Sequence, residues 1–334
     1  MCGTGRARRR SPPMIDAPNF LSALAAAPSG HDTVEEPRPL TGEVRLERII
    51  ILVNPLSGGV GPQAADEAAA LLAVYPLQAE VVVLEGARIP DQIGEALAAR
   101  PDALFILAGD GTARSVAARA GSDGPLIAPL PGGTMNMLPK ALYGTGDWKA
   151  ALRLALEEGA PQYVSGGEVE GEAFYCAAIL GSPALWAPAR EAIREGKLKM
   201  AWTYGRRALK KAFSGRVRYA LDGGVREKAE ALVLISPLIS KAMDKCDGLE
   251  AAAMNTADAA QAFRLAAHAL FDDWRQDPTV TTRGARKIEV EARSRIPAVI
   301  DGEPMLLGRA TAVKFVPRAF TALAPKPPTG GDSV

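Results

Sequence analysis

Residues 48–61, RIIILVNPLSGGVG, join a short apolar run rich in β-branched side chains to a loop rich in glycine. A run of this kind, without polar alternation, is typical of a β-strand that is buried on both faces. A helical pattern over residues 62–74 follows the loop. Strand, loop and helix in this order predict the first unit of a parallel sheet whose faces are covered by helices.

The same order of elements recurs along the next part of the chain. Further apolar runs predict strands at 80–84, 103–107 and 126–130, and helical patterns follow them at 90–99, at 112–120 and from 134. Repetition of this unit predicts a parallel-sheet α/β domain, to which we assign residues 45–158.

The second half of the chain has a different pattern. Short alternating runs at 216–221, 231–235 and 287–291 are separated by turn residues, which predicts a mainly antiparallel β domain over residues 159–309. Two flanking segments complete the interpretation. Residues 1–44 are expected to form a flexible N-terminal extension rich in Pro and Ala, and residues 326–334 a loose tail rich in Pro and Gly.

Charge and composition exclude several classes of protein. The 39 Lys and Arg nearly balance the 38 Asp and Glu, so we expect no nucleic-acid partner. Three scattered cysteines and two histidines form no metal-ligand spacing and no disulfide framework, which indicates a reducing compartment and makes a Cys/His zinc site improbable. No apolar run is long enough to span a bilayer. The expected location is therefore cytoplasmic.

Three predicted loops at the carboxyl ends of the parallel strands have the composition of phosphate-binding loops. Glycine lets backbone N–H groups approach a phosphate, and the following helix N-termini favour its negative charge. Asp110 would repel a phosphate, so its expected role is to hold a magnesium ion beside one. The candidate binding residues are Asn54, Ser57, Gly58, Gly109, Asp110, Gly111, Thr112, Gly132, Gly133, Thr134 and Asn136.

The three loop sequences, in this order and spacing, resemble the diacylglycerol kinase catalytic family, which includes bacterial lipid kinases and sphingosine and ceramide kinases. The motifs are Asn-Pro-Leu-Ser-Gly-Gly at 54–59, Ala-Gly-Asp-Gly-Thr at 108–112 and Pro-Gly-Gly-Thr-Met-Asn at 131–136. The likeness continues through residues 196–204, Asp-Gly-Leu at 247–249 and Ile-Asp-Gly-Glu at 300–303. It spans about residues 48–325. The combination of motifs is specific to the family, although no single motif is.

The resemblance implies an ATP-binding α/β domain followed by a β-sandwich that shapes a lipid site. It also implies that the final segment, 310–325, returns to the first domain. The implied activity is Mg²⁺-dependent transfer of the γ-phosphoryl of ATP to a lipid hydroxyl, a step of lipid metabolism such as phospholipid biosynthesis. In this reading Asp110 organises Mg-ATP, Thr134 contacts the nucleotide, and Glu303 is the general base. Asp301, which lies beside that base, is a further candidate catalytic residue.

A second magnesium site is implied at Asp247 and the backbone of Leu249. The sequence also departs from the family pattern at several positions. Ala108 replaces the first glycine of the second loop, while Arg114 and Cys176 stand where asparagine is common. The Gly- and Pro-rich segment that usually precedes the Asp-Gly-Leu motif is reduced to residues 236–241.

A basic segment, residues 188–218, indicates contact with a membrane surface. It carries ten Lys and Arg against two Glu, with apolar and aromatic residues interspersed. Such a helical surface would attach peripherally to anionic lipid at the inner membrane face. A solvated helix face whose aromatic residues pack inward is the alternative.

Three other functions stay open at this stage. A kinase of a soluble acceptor, similar to NAD kinase, shares the Gly-Asp-Gly-Thr loop but not the third loop. A non-catalytic protein that binds ATP or lipid, a pseudokinase, would explain Arg114 and Cys176. An NAD(P)-dependent oxidoreductase would use the G-x-G-x-x-A match at 59–64, but its turn after the strand is too long for that fingerprint.

Overall fold

The computed structural model describes residues 44–181, 216–240, 248–254 and 280–326. Four of the sequence predictions lie wholly or mainly outside these ranges. They concern the N-terminal extension up to residue 43, positions 188–215 of the basic segment, Asp247, and the tail from residue 327.

The first part of the described chain alternates strands and helices, as the sequence predicts. The strands are β1 (Arg48–Val53), β2 (Gln78–Val83), β3 (Ala103–Ala108) and β4 (Leu126–Pro131). The helices are α1 (Ala64–Leu72), α2 (Ile89–Ala98), α3 (Asp110–Ala120), α4 (Met137–Tyr143) and α5 (Trp148–Glu158), and a 3-10 turn (Gly86–Arg88) precedes α2.

Burial explains why these residues form a parallel sheet. Every residue of β3 is buried, and so is every residue of β1 after Arg48, because helices cover both faces of the sheet. The strands lie in the order β2-β1-β3-β4 and all pair in parallel. On α1, Ala64, Ala68 and Leu72 share one face at helical spacing and are buried. The carboxyl ends of β1, β3 and β4 therefore open at a common edge.

The second part of the described chain consists of strands. They are β5 (Gly159–Val169), β6 (Glu172–Phe174), β7 (Ala177–Gly181), β8 (Val217–Leu221), β9 (Glu227–Ala229), β10 (Ala231–Ile235), β11 (Leu249–Met254), β12 (Val280–Ala285), β13 (Lys287–Glu291), β14 (Ile296–Ile300), β15 (Glu303–Leu307) and β16 (Ala310–Pro325).

The long strand β16 extends the parallel sheet into the antiparallel part of the protein. It lies beside β4, with which it pairs in parallel at Ala322 and Ile127, and it pairs antiparallel with β5 and β13. The resulting sheet runs β2-β1-β3-β4-β16-β13-β8-β9, with β5 and β6 attached at β16. The hydroxyl of Tyr143 in α4 donates to the carbonyl of Leu323 (2.7 Å), which ties β16 to the helical layer.

The second sheet is antiparallel throughout, in the order β12-β11-β10-β7-β14-β15. Its apolar side chains share a core with the far end of the first sheet. This core includes Leu180 and Ile300 from one sheet and Ile288 and Val290 from the other. The predicted fold class, a parallel α/β part followed by a mainly antiparallel β-sandwich, is confirmed. The exact domain boundaries stay a prediction. Within the described ranges, no helix has the length and apolar character needed to cross a bilayer.

Candidate active site

Three glycine-containing loops follow the buried strands β1, β3 and β4 and contact one another at the edge of the sheet. The backbone N–H of Gly59 donates to the carbonyl of Gly132 (3.0 Å), and the N–H of Gly109 donates to Ser57 Oγ (3.1 Å). These hydrogen bonds connect the first loop to each of the other two. The structure therefore brings together the loops that the sequence places far apart.

The polar side chains of these loops have different surroundings. Asn54 Oδ1 accepts a hydrogen bond from the backbone N–H two residues further on (3.1 Å), which closes the first loop as an Asx turn. The buried Asn136 accepts from the N–H of Gly133 (2.7 Å) and donates to its carbonyl (3.0 Å), so its amide shapes the third loop. Thr134 is exposed and Thr112 half-buried. Contacts of these side chains with a nucleotide stay a prediction.

Glycine is required where the second and third loops pass each other. A Cβ atom on Gly132 would lie 2.7 Å from the backbone N and O of Ala108 and from a methyl group of Val60. A Cβ on Gly133 would lie 2.9 Å from the Cα of Gly109. Because backbone atoms cannot withdraw as a side chain can, these two glycines let the loops approach closely.

We expect Gly132→Ala to destabilise the protein by about 1–3 kcal/mol, because the added methyl group forces the loop backbones apart. Gly58→Ala is the matched control, since its Cβ would meet only Thr134 Oγ1 at an ordinary 3.5 Å. Chemical unfolding of both variants and the wild type measures the difference. Equal free energies of unfolding for the two variants would contradict the close packing of these loops.

Asp110 is the first residue of α3 and lies directly after the buried strand β3. Its Oδ2 accepts a hydrogen bond from the backbone N–H of Asn136 (2.8 Å). Its Oδ1 is buried, and no donor lies within hydrogen-bonding geometry of it. Burial raises the pKa of this carboxyl group. The N–H groups at the start of α4 and the charge of Lys140 oppose part of that increase in pKa.

The surroundings of Asp110 fit a divalent cation. A buried carboxylate oxygen without a hydrogen-bond partner is costly unless another group compensates its charge. A cation would do so, and it would favour the ionised form that burial disfavours. Among the described residues, no three Asp, Glu, His or Cys side chains are grouped so that they could hold a metal ion together. Asp110 would hold a cation such as Mg²⁺, which would neutralise charge on neighbouring phosphate oxygens.

Glu303 reaches the same loops from the antiparallel sheet. It is the first residue of β15, after the tight turn that connects this strand to β14. A Cβ atom on Gly111 would overlap Glu303 Oε1, so the carboxylate occupies the space that a side chain at 111 would fill. The same turn approaches the third loop, because a Cβ on Gly302 would lie 3.1 Å from Met135 Sδ. Glu303 therefore lies beside the residue that follows Asp110.

Asp301, only two residues from Glu303, points elsewhere. Its carboxylate accepts hydrogen bonds from the backbone N–H groups of Tyr175 (2.8 Å), Cys176 (2.9 Å) and Ala177 (2.9 Å). Burial raises its pKa, and these hydrogen bonds oppose the increase. They fix the bend between β6 and β7 to the β14–β15 turn. Asp301 thereby supports the backbone from which Glu303 extends, and a direct part in catalysis stays a prediction.

Arg114 contacts Glu303, a pairing that sequence reasoning did not identify. Its Nη2 lies 2.7 Å from Glu303 Oε2, and Glu172 Oε2 lies 3.6 Å from the same nitrogen. The only sequence signal for this site is the spacing of Arg114 from Asp110, which places both on one face of α3. Nothing local in the chain indicates a partner 189 positions away.

The other residues singled out from the sequence are buried. Cys176 lies in the core, where burial raises the pKa of its thiol, and its carbonyl accepts from the N–H of Ser236 (2.9 Å). Leu249 begins β11 and is fully buried. Because Asp247 lies outside the described residues, the second metal site at these two positions stays a prediction.

Glycine-lined loops that meet at the carboxyl edge of a parallel sheet, with a half-buried acid beside them, are typical of α/β proteins that bind phosphate groups. Residues 48–166 match the sequence model of the diacylglycerol kinase catalytic domain. This match confirms the predicted resemblance to the diacylglycerol kinase catalytic family over this part of the chain. Comparison with curated protein sequences finds no match.

Solved structures with the same fold come from Bacillus anthracis str. Sterne. A diacylglycerol kinase from this organism is 19% identical, with a TM-score of 0.65, and the alignment covers 85% of this chain and 99% of that one. A putative diacylglycerol kinase is 18% identical with a TM-score of 0.63, covering 85% and 99% of the two chains. At this level of identity the likeness establishes the fold.

Proposed function

We propose that this protein is a lipid kinase that transfers the γ-phosphoryl group of ATP to the hydroxyl group of a lipid alcohol in a Mg²⁺-dependent reaction. The observation that carries this proposal is the position of Glu303, whose carboxylate lies against Gly111 beside the half-buried Asp110. Asp110 is suited to bind a cation and Glu303 to accept a proton, and both residues adjoin the glycine loops. A kinase needs these two groups at adjacent positions.

The glycine loops would bind and orient the nucleotide phosphates. Phosphoryl transfer depends mainly on positioning and on charge stabilisation, which backbone N–H groups and a helix N-terminus supply without reorganising. When bound at Asp110, Mg²⁺ would supply the neutralisation of charge on the phosphate oxygens. The hydrogen bond from Asn136 holds the Asp110 carboxylate in a single orientation for this task.

Glu303 would accept the proton of the attacking hydroxyl at one of its carboxylate oxygens. Its side chain is 54% exposed, so an acceptor can approach from the side that faces away from Gly111. The turn that bears Glu303 belongs to the antiparallel part of the protein, where we place the lipid acceptor. General-base assistance of this type typically contributes about 10²–10⁴-fold to the rate.

Transfer of labelled γ-phosphate from ATP into a total lipid extract, with and without EDTA, tests the proposed function. We expect a labelled lipid that disappears with EDTA, and its chromatographic identity will distinguish diacylglycerol, a sphingoid base and a polyprenol. Absence of any labelled lipid, with Mg-ATP binding intact, would overturn the lipid acceptor in favour of a soluble acceptor or a pseudokinase. NAD(P) binding without ATP binding would support the oxidoreductase instead.

We further propose that the basic segment 188–218 attaches the protein peripherally to anionic lipid on the cytoplasmic face of a membrane. The support is its sequence alone, with ten basic and two acidic residues. Sedimentation with anionic vesicles should show binding that falls with salt and with four Gln substitutions. Unchanged, salt-insensitive binding would contradict this role. The residues to replace are Arg206, Arg207, Lys210 and Lys211.

A further inference from the structure

Arg114 has an unusual position for a charged residue on a surface helix. It lies four residues after Asp110 on α3, and only 15% of its side chain is exposed. Burial of a guanidinium group is costly unless acceptors surround it, because the group cannot lose its proton. The partners of Arg114 therefore indicate its task.

Those partners belong mainly to the β14–β15 turn. Arg114 Nη2 donates to Glu303 Oε2 at 2.7 Å, and Nη1 donates to the backbone carbonyl of Ile300 at 3.3 Å. The planar guanidinium thus contacts the last residue of β14 and the first residue of β15, one on each side of the turn. Glu172 of β6 is a weaker neighbour at 3.6 Å.

The Glu303 carboxylate is held from several directions. Gly111 borders one side of the carboxylate, and Arg114 binds the oxygen Oε2. The backbone beneath it is fixed by the three hydrogen bonds that Asp301 accepts and by the positive φ of Asp301 and Gly302 (45° and 88°). A glutamate on an exposed turn would otherwise sample several rotamers, and each contact removes some of that freedom.

We propose that Arg114 is a positioning residue that holds the carboxylate of Glu303 at the phosphate loops. The inference rests on the proposed function, because it assigns Arg114 a task in the same reaction. Since α3 begins at Asp110, the ion pair also sets the distance between Asp110, the proposed cation ligand, and Glu303, the proposed general base. Arg114 acts through Glu303 and not through the nucleotide.

A kinetic double-mutant cycle tests this role with Arg114→Gln, Glu303→Gln and the double variant. We expect Arg114→Gln to lower kcat by about 10²-fold, the loss that a small misplacement of a catalytic group produces. The KM for ATP and the affinity for Mg-ATP should change by less than about threefold. In the double variant, kcat should equal that of Glu303→Gln alone, because the effect of Arg114 requires the carboxylate.

Two further variants separate positioning from charge and from folding. Arg114→Lys keeps the charge but loses the planar fork, so we expect a smaller loss of kcat than with Gln. Arg119→Gln is the control on the same helix, because Arg119 donates to the carbonyl of Pro90 (2.6 Å), away from the site. Its kcat should match that of the wild type. Thermal unfolding of all variants measures any general loss of stability.

The outcomes distinguish the two proposals. If the losses of kcat in the two single variants multiply in the double variant, the positioning role is overturned. A large loss of Mg-ATP affinity in Arg114→Gln would also overturn it, and either result would indicate a direct contact between Arg114 and phosphate. Loss of kcat only in proportion to a lowered Tm would overturn it as well. If the wild-type protein transfers phosphate to no acceptor, the proposed function falls, and this role of Arg114 falls with it.

Discussion

The substitution Asp110→Asn is expected to lower kcat for phosphate transfer by about 10³-fold or more while the protein stays folded. Oδ1 of this carboxylate is buried and makes no hydrogen bond, and burial raises the pKa of the group, so a bound cation would stabilise its ionised form. An amide of the same shape keeps an oxygen for the N–H of Asn136 but removes the charge. Steady-state kinetics and Mg-ATP affinity at several Mg²⁺ concentrations measure the effect.

Asp123→Asn is the control for this substitution. Asp123 is an exposed residue in the turn after α3, at the other end of the same helix. Its variant should keep wild-type kcat, and the Tm of both variants should lie within a few degrees of the wild type. Full activity in Asp110→Asn would remove Asp110 from the mechanism and leave the cation to be held elsewhere.

The second large effect is expected from Glu303→Gln, which should lower kcat by about 10²–10⁴-fold with little change in Mg-ATP affinity. Glutamine keeps the size of the side chain and an oxygen for Arg114, but its amide cannot accept the proton of the attacking hydroxyl. Single-turnover transfer at saturating ATP isolates this step. Stability should change little, because the side chain is about half exposed and the glutamine oxygen can still accept from the guanidinium of Arg114.

Glu291→Gln provides the comparison for Glu303→Gln. Glu291 also pairs with an arginine, Arg226 (3.1 Å), in a partly exposed position on β13. Removal of this ion pair should leave kcat unchanged, which separates the loss of a surface charge from the loss of a base. If Glu303→Gln retains more than about a tenth of wild-type kcat, another group accepts the proton.

The strands and the loops at their ends were predictable because they depend on local patterns. The apolar run at β1 predicts its bounds, 48–53, and β3 and β4 end one residue beyond their predicted limits. Helix ends were less accurate. The pattern predicts a helix from residue 134, whereas the helix in the structure begins at Met137. It begins later because Asn136 adopts a left-handed conformation and closes the third loop.

The roles of neighbouring acids were not predictable from their order in the chain. Asp301 and Glu303 are two positions apart, yet one binds the backbone at 175–177 and the other lies on Gly111. A turn with positive φ at Asp301 and Gly302 separates their directions. The Ile-Asp-Gly-Glu motif contains both residues, and only the backbone conformation of the turn shows that their side chains point in different directions.

The sequence by itself determined the alternation of strands and helices, the three glycine loops and the kinase family that they resemble, because periodicity and loop motifs are properties of short segments. The family resemblance implies that residues 310–325 return to the first domain, and the tertiary structure adds that they pair with β4. The tertiary structure alone decided that Arg114 of α3 pairs with Glu303, 189 positions further along. Such contacts depend on which sheet edges and side chains meet after folding, and a single sequence carries no periodic signal for them.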